Sequence, residues 1–326
     1  MQQICNYIYP NDTIDLMNKL INRKHLLTVA VLLIVVFVFL GLTHINGSRP
    51  DNSNGKIKIM AGENFWGSLV SQLGGTKVQV TSIVSDPNAD PHEYEVNSLD
   101  ARNFATANYV ILNGAGYDSW GNKLLSGNSS SNRKVLIVAN LLGKKNGDNP
   151  HFWYNPSYVN RVLLQMETDL INLSPQNKTY FQSQYKSLQL SLDGYQNQIS
   201  SISKLYAGTK VAATEDIFVY LANASGLNLI SPPAFMQAVA EGNDPPTDSV
   251  AEFQQQLETH QVKLLVYNLQ TITPLTSSMK ALAMSNDIPV IGISETMQPP
   301  NTTFENWMNT EVVNLKNALK AQQASK

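Results

Sequence analysis

The sequence predicts an α/β protein with two lobes, each built on a parallel sheet, joined by one long rigid helix. Short, nearly continuous apolar runs occur in two groups along the 326-residue chain and alternate with amphipathic segments. Such runs are typical of parallel strands that are covered by helices on both faces. Between the two groups lies one segment with sustained helical periodicity. These observations predict the fold class, and the individual elements follow from them.

The first group of strands predicts an N-terminal lobe over residues 56–173. Its helices are expected at ENFWGSLVSQLGG, which ends at paired glycines, and at SLDARNFATA. Its strands are predicted at Lys56–Met60, Val78–Val84, Tyr109–Gly114 and Val135–Ala139. The same alternation returns later and predicts a C-terminal lobe over residues 208–326. Its strands are predicted at Lys210–Thr214, Leu227–Ser231, Val262–Asn268 and Ile288–Ser294.

The linking helix is predicted over residues 174–207. Ser174 suits the N-cap, Pro175 the first helical position, and Gly208 the stop. Its apolar residues are spaced alternately four and three apart, at Phe181, Tyr185, Leu188, Leu192, Tyr195, Ile199 and Ile202. A coiled-coil seam with a second chain would explain this stripe. We favour a single helix that lays the stripe across both lobes, because one seam of this length otherwise needs a partner chain.

The N-terminal part of the chain is predicted to lie outside the folded lobes. Residues 25–45 contain an unbroken apolar core, Leu26–Leu42, which is just long enough to span a bilayer. Basic residues precede it, so residues 1–24 should stay in the cytoplasm and the remainder should be exported. We favour an uncleaved anchor, since no small-x-small cleavage site follows. The alternative is a cleaved signal peptide, for which Met17 offers a second start. Residues 46–55 form a polar tether.

Composition excludes several classes of function. The net charge is −2 and the pI about 6.2, so no basic field marks a protein that binds nucleic acid. Cys5 is the single cysteine. It cannot form an internal disulfide, and a thiolate zinc site or a cysteine-pair redox motif is excluded with it.

Two histidines stand in matching positions within the N-terminal lobe. His92 follows a proline in SDPNADPHEYEVNS, and His151 follows a proline in GDNPHFWYNP. Each lies in a loop after a predicted strand, and ligand sites of open α/β sheets gather outside the carboxyl ends of strands. In the C-terminal lobe, Glu215 and Glu295 each follow a predicted strand directly. A charged residue there is costly to bury unless it has a partner, which favours a cation.

These motifs carry a family resemblance. The segments AGENFWGSLVSQLGG, DPNADPHEYE, ANYVILNGAGYDSW, NPHFWYNP, ATEDIFVYLA and IGISETMQPP together resemble the zinc/manganese-type solute-binding proteins of bacterial ABC importers. The resemblance runs from Lys56 to Leu319. It implies two lobes joined by a rigid helix, a ligand cleft between the lobes, and two metal ligands from each lobe. By position these ligands would be His92, His151, Glu215 and Glu295.

The chain departs from the family pattern in three places. No cysteine follows the apolar segment, although relatives usually carry a lipidated one there. No further histidine lies between His92 and His151, where many zinc-binding relatives have a histidine-rich loop. Glu295 stands where the family usually has Asp. Its extra methylene makes it the least secure member of the predicted ligand set.

The resemblance implies a monomeric, non-catalytic receptor outside the cytoplasm that hands one divalent ion, Zn²⁺ or Mn²⁺, to a membrane permease. Two neutral imidazoles and two carboxylates neutralise such an ion, but sequence leaves the choice of metal open. The alternative is a membrane-tethered metallohydrolase that uses the same residues. A catalytic zinc site keeps an open position for water, whereas four protein ligands close the site and favour capture.

Overall fold

The computed structural model describes residues 55–86 and 94–324. His92, the cytoplasmic segment 1–24, the apolar segment 25–45 and nearly all of the tether therefore lie outside the described residues. Within the described ranges, no helix has both the length and the apolar composition needed to cross a membrane.

The N-terminal lobe is built on a parallel sheet with the strand order β2-β1-β3-β4. The strands are β1 Ile57–Glu63, β2 Val78–Val84, β3 Tyr109–Leu112 and β4 Lys134–Ile137. The helices are α1 Asn64–Gly74, α2 Ser98–Thr106, α3 Ser119–Gly127, α4 Val138–Leu142 and α5 Pro156–Leu173. Every strand lies within a few residues of its predicted position, because apolar runs bounded by polar turns define it well.

The C-terminal lobe repeats this arrangement with the order β6-β5-β7-β8, again parallel. The strands are β5 Lys210–Ala213, β6 Asn228–Leu229, β7 Leu265–Asn268 and β8 Val290–Ile293. The linking helix is α6 Lys178–Tyr206, and the later helices are α7 Val219–Ala224, α8 Pro233–Ala240, α9 Thr247–Glu258, α10 Pro274–Ser285 and α11 Phe304–Ala324. The predicted α/β class with two parallel sheets and one long helix is confirmed.

Helix α6 runs for 29 residues and buries the predicted stripe within its own chain. Phe181, Leu192 and Ile202 are fully buried in a core that also holds side chains of both sheets. The single-helix explanation is thus confirmed, since the apolar stripe is covered without a partner chain. The helix starts differently from expectation: residues Pro175–Asn177 form a 3₁₀ turn. The Ser174 hydroxyl accepts from the Asn177 side chain and does not cap the backbone.

A second connection between the lobes was not expected from the sequence. Helix α11 follows the last strand of the C-terminal lobe, yet it packs on α6 and reaches α1 of the N-terminal lobe. Gln72 of α1 donates to Glu305 of α11 (2.9 Å), and the Phe304 backbone N–H donates to the Ser68 hydroxyl (3.0 Å). The two lobes are therefore held by two helices that share one buried core.

Candidate metal centre

The described candidate ligands come from three loops at the carboxyl ends of strands. His151 lies in the loop between α4 and α5, Glu215 follows β5, and Glu295 follows β8. Strands β5 and β8 flank β7 in the sheet, so the loops after them open at the same edge. Parallel strands deliver their following loops to one edge, where ligands of open α/β sheets bind.

The structure brings these three residues together. One nitrogen of His151 and one carboxylate oxygen each of Glu215 and Glu295 lie within 4.8 Å of one another. The three residues are at most 1% exposed. Ligand atoms about 2.0–2.2 Å from a common ion lie roughly 3–4 Å apart, so a metal would draw them together by about an ångström. His92, the fourth predicted ligand, lies outside the described residues.

The imidazole of His151 is oriented by two oxygen acceptors. Its Nδ1 lies 3.0 Å from Oδ1 of Asn149 and 3.2 Å from Oδ1 of Asp216. Because both partners accept hydrogen bonds, the proton belongs on Nδ1. Nε2 then carries the lone pair and lies 3.7 Å from Oε1 of Glu215. Asn149 also donates to the backbone carbonyl of Asp216 (2.7 Å), so this contact joins the two lobes.

The two carboxylates are held by the last residue of β7 and by the loop that follows it. Asn268 Nδ2 donates to Glu215 Oε2 at 2.6 Å and to Glu295 Oε1 at 2.8 Å. The backbone N–H of Glu295 donates to the Gln270 side-chain oxygen. From the other lobe, the Tyr117 hydroxyl donates to Glu295 Oε2 at 2.9 Å. Both acids are therefore fixed in place before an ion arrives.

Burial and mutual repulsion shift the protonation of this cluster. Burial, followed by the charge of Glu295, raises the pKa of Glu215 to about 8, although His151 and the Asn268 hydrogen bond oppose the shift. Burial alone would lower the pKa of His151, but the hydrogen bond that it donates to Asp216 and the charges of the neighbouring carboxylates raise it. Both shifts favour the protonated forms of Glu215 and His151 in the metal-free protein, and a divalent cation would displace those protons.

An open cleft of about 450 Å³ leads to this cluster from outside. Its walls come from both lobes, with Tyr117 and His151 on one side and Asp216 and Glu241 on the other. Trp153 forms an edge contact with the His151 ring, with ring centroids 5.2 Å apart. This tryptophan is fully buried, as expected for a residue that packs behind a cleft.

The buried cluster does not include two acids that flank His92 in the sequence, nor the histidine that follows α9. Asp86 and Glu95 are exposed on either side of the segment that holds His92, and His260 is exposed at the end of α9. The sequence did not predict that the candidate ligands are contacted by Asn268, Gln270, Tyr117 and Asn149. One signal pointed to Asn268: it ends the predicted strand that belongs between the strands preceding Glu215 and Glu295.

Comparison with known proteins finds similar sequences. The family model for ZnuA, the periplasmic component A of a zinc-uptake complex, matches residues 59–318. The chain is 22% identical over 279 residues to the metal ABC transporter substrate-binding lipoprotein FimA of Streptococcus parasanguinis, covering 80% of this chain and 87% of the relative. It is 24% identical over 219 residues to the manganese ABC transporter substrate-binding lipoprotein PsaA of Streptococcus anginosus, covering 63% and 70%.

Solved structures share the fold. A manganese-bound periplasmic metal-binding protein from Candidatus Liberibacter asiaticus has a TM-score of 0.67 at 16% identity, over 81% of this chain and all of that one. A crystal structure of ZnuA has a TM-score of 0.65 at 20% identity, over 81% of this chain and 99% of the other. The two-lobed arrangement is therefore the fold of periplasmic metal-binding proteins.

Proposed function

Because this chain belongs to the ZnuA family of periplasmic zinc-uptake components, we propose that it captures one divalent transition metal ion, zinc or manganese, and delivers it to an ABC importer. The observation that carries the proposal is the buried cluster of His151, Glu215 and Glu295, which draws ligand atoms from both lobes to within 4.8 Å. Two carboxylates with neutral imidazoles neutralise a divalent cation, so the buried charge has a partner once the ion binds.

The proposed ligand set is His92, His151, Glu215 and Glu295. Support for His92 comes from its place after β2, the strand that neighbours β1 in the N-terminal sheet. His151 presents Nε2 towards the acids of the other lobe. An ion bound by all four would contact both lobes and link them through its own bonds.

Capture is a better match than hydrolysis for such a site. A metallohydrolase with the same residues needs an open coordination position for water and a general base beside it. Four protein ligands would occupy all positions of a tetrahedral ion. We therefore propose a receptor without catalytic activity.

The remaining proposals concern the organisation of the chain. We infer a metal-binding lobe at residues 56–173, a linking helix at 174–207 and a second metal-binding lobe at 208–326. The protein would act as a monomer on the outer face of the cell membrane. It would be anchored there by residues 25–45 or released after their cleavage, and it would dock on the permease.

Metal analysis of the purified full-length protein tests the proposed function. We expect one bound zinc or manganese ion per chain, and competition between the two ions identifies the tighter one. A protein that binds neither ion while folded would contradict the proposal.

The location has a separate test in the host cell. An uncleaved anchor predicts that the protein sediments with membranes and keeps its full N-terminal mass. A mature N-terminus near Gly47 or Ser48, with protein in the medium, would show a cleaved signal. Cys5 lies before the apolar segment and should carry no functional lipid in either case.

A further inference from the structure

We propose that Asn149, Asp216 and Tyr220 form a latch between the lobes that sets how fast the ion enters and leaves the site. The latch ties the loop that carries His151 to the C-terminal lobe. It slows entry and release alike and leaves the affinity for the ion nearly unchanged. This inference rests on the proposed function, because it takes His151 and Glu215 as metal ligands.

Asn149 is hydrogen bonded to both sides of the cleft. Its Nδ2 donates to the backbone carbonyl of Asp216 at 2.7 Å, and its own carbonyl accepts from the Tyr220 hydroxyl at 2.9 Å. Its Oδ1 accepts from the backbone N–H of His151 at 3.0 Å. Asp216 and Tyr220 belong to the segment after β5, so the first two bonds join the N-terminal lobe to the C-terminal lobe.

The latch is connected directly to two of the proposed ligands. Only Pro150 separates Asn149 from His151, and proline fixes its own backbone dihedral φ, so the two residues move together. On the other side of the cleft, Asp216 directly follows Glu215. Moving His151 away from Glu215 therefore stretches the bonds that Asn149 makes to the C-terminal lobe.

An ion cannot reach the ligands without a local movement. His151 and Glu215 are at most 1% exposed, although the cleft beside them is open. Asn149 and Asp216 both line that cleft. A movement of residues 147–151 away from the C-terminal lobe would expose the ligands to the cleft, and it would break the latch. Loops that cover a site commonly set the rate of release in this way.

Other hydrogen bonds between the lobes lie in the buried core. The Tyr154 hydroxyl donates to the Ser294 carbonyl at 2.7 Å. The Met297 backbone N–H donates to Asn64 Oδ1 at 3.2 Å. These four residues are at most 6% exposed, and Tyr154 packs against Trp307 of α11 with ring centroids 6.0 Å apart. The core therefore keeps the lobes together while the latch opens locally at the cleft.

The Tyr220 ring is held by contacts that do not involve its hydroxyl. It makes an edge contact with the Tyr158 ring, with centroids 5.4 Å apart, and lies 6.1 Å from the Phe152 ring. Phenylalanine at this position would keep both ring contacts. Tyr220→Phe therefore deletes one bond of the latch and leaves the packing of the two lobes in place.

The rate of association separates a latch from a residue that only positions a ligand. The latch bonds use Asn149 Nδ2, the Asn149 carbonyl and the Tyr220 hydroxyl, none of which is a proposed ligand atom, so binding the ion breaks none of them. A contact that is equal in the empty and the occupied site changes the rates of exchange and not the equilibrium. Loss of a residue that only positioned His151 would speed release without speeding association.

The experiment measures metal exchange by stopped flow in full-length wild type, Tyr220→Phe and a matched control. Zinc and manganese are used in parallel, with association and release both followed by competition with a chromophoric chelator. The control is Tyr109→Phe, because the hydroxyl of the buried Tyr109 donates to Asp169 (2.9 Å) within the N-terminal lobe. Thermal melting of each protein reports folding.

We expect Tyr220→Phe to raise the rate constants of association and release alike, by about 2- to 10-fold, the range that follows from losing one hydrogen bond. The dissociation constant should stay nearly the same. Zinc and manganese should show the same factor, because the latch bonds join protein groups. Tyr109→Phe should lower the melting temperature and leave both rates unchanged. Unchanged rates in folded Tyr220→Phe, or faster release with unchanged association, would overturn the proposal.

Asn149→Ala gives a second, independent outcome. This variant also removes the Oδ1 acceptor of His151, so its affinity for the ion should fall, yet its association should be faster than in wild type. Association that is equal or slower would overturn the latch while leaving the proposed function intact. A wild-type protein that binds neither ion would instead refute the proposed function and this inference with it.

Discussion

The two lobes share one strand order but place different chemistry at the ends of corresponding strands. Strands β1 and β5 both stand second in their sheets, and an acid lies at the end of each: Glu63 is the last residue of β1, and Glu215 follows β5 by two residues. Strands β3 and β7 both stand third in their sheets. Asn113 follows β3 directly, and Asn268 is the last residue of β7. The topology therefore places an acid and an asparagine at equivalent strand ends in both lobes, but their contacts differ between the lobes.

In the N-terminal lobe the acid is neutralised internally. Glu63 is fully buried and lies close to Asp118, whose pKa is also raised by burial. Burial, and then the charge of Asp118, raises the pKa of Glu63 well above its usual value. Asp118 accepts from the backbone N–H groups of Asn113 (2.6 Å) and Gly114 (2.8 Å). The acids of this lobe therefore interact with groups of the same lobe, whereas the His151 imidazole lines the cleft.

In the C-terminal lobe the acids face the cleft. Glu215 and Glu295 both accept from Asn268, and Glu215 Oε1 lies 3.7 Å from Nε2 of His151 in the other lobe. The fold places an acid at the same strand end in both lobes. The groups that contact that acid determine whether it has a structural role or faces the cleft.

The largest expected effect comes from removing the ligands of one lobe. His92→Ala with His151→Ala should abolish metal binding, and Glu215→Gln with Glu295→Gln should do the same, because neither lobe alone supplies a closed site. Metal content of the purified proteins measures this. His260→Ala is the control, since that histidine follows the end of α9 and is exposed, and the variant should bind metal as wild type does. Wild-type binding by either double variant would refute the proposed ligand set.

The next effect is stabilisation of the joined lobes by the ion. A ligand that binds only the folded state, present at about a thousand times its dissociation constant, adds about 4 kcal/mol to the free energy of unfolding. The melting temperature should therefore rise strongly with metal. The overall dimensions should change little, because α6 and α11 both bridge the lobes and share one core.

Small-angle scattering of metal-free and metal-loaded protein tests the second half of that prediction. A decrease of several ångströms in the radius of gyration would mean that the lobes rotate together and that the two helices do not restrain them. A rise in melting temperature without such a decrease would agree with a cleft that is already formed.

Sequence reasoning predicted the fold better than the site. All eight strands and the long helix could be predicted, because burial on both faces requires apolar runs and a helical stripe requires a regular spacing. Glu215 and Glu295 could be identified as candidate site residues, because a charged residue at the end of a buried strand needs a partner. Asn268, Tyr117 and Gln270 could not be assigned, because neutral side chains carry no such penalty and their roles depend on which loops meet. The packing of α11 on α1 depends likewise on contacts between residues more than 200 positions apart.

A smaller effect concerns a buried acid of the C-terminal half that, like Glu63, does not face the ion. Glu311 of α11 accepts from the Trp307 indole (3.1 Å) and the Ser294 hydroxyl (3.2 Å). Burial raises the pKa of Glu311 to about 7, although these hydrogen bonds oppose the shift. In the unfolded chain its pKa is about 4.3. The folded state therefore holds a proton that the unfolded state has lost, and stability falls as the pH rises from about 4 to 7.

Glu311→Gln should remove this part of the pH dependence. The difference between the two pKa values corresponds to about 4 kcal/mol of unfolding free energy lost between those limits. Urea denaturation of metal-free protein at pH 5 and pH 8 measures it. The pKa values of Glu63, Asp118 and Glu215 are raised as well. The unfolding free energy of wild type should therefore fall more steeply with pH than Glu311 alone would cause. Equal slopes for wild type and Glu311→Gln would show that Glu311 stays ionised in the folded protein.

The smallest expected effect tests whether α6 is a stiff connection between the lobes. Gly194 lies in the middle of α6, is exposed, and would have open space around an added Cβ atom. Gly194→Ala should raise the unfolding free energy by about 0.5–1 kcal/mol, because glycine loses more backbone freedom in a helix than alanine does. Gly67 of α1 is the matched control, since a Cβ there would collide with the Ser82 hydroxyl and Gly67→Ala should be destabilising. Metal affinity should be the same in Gly194→Ala and in wild type. A loss of affinity in that variant would mean that α6 bends at Gly194 when the lobes bind the ion, and the two lobes would then have to be treated as moving bodies.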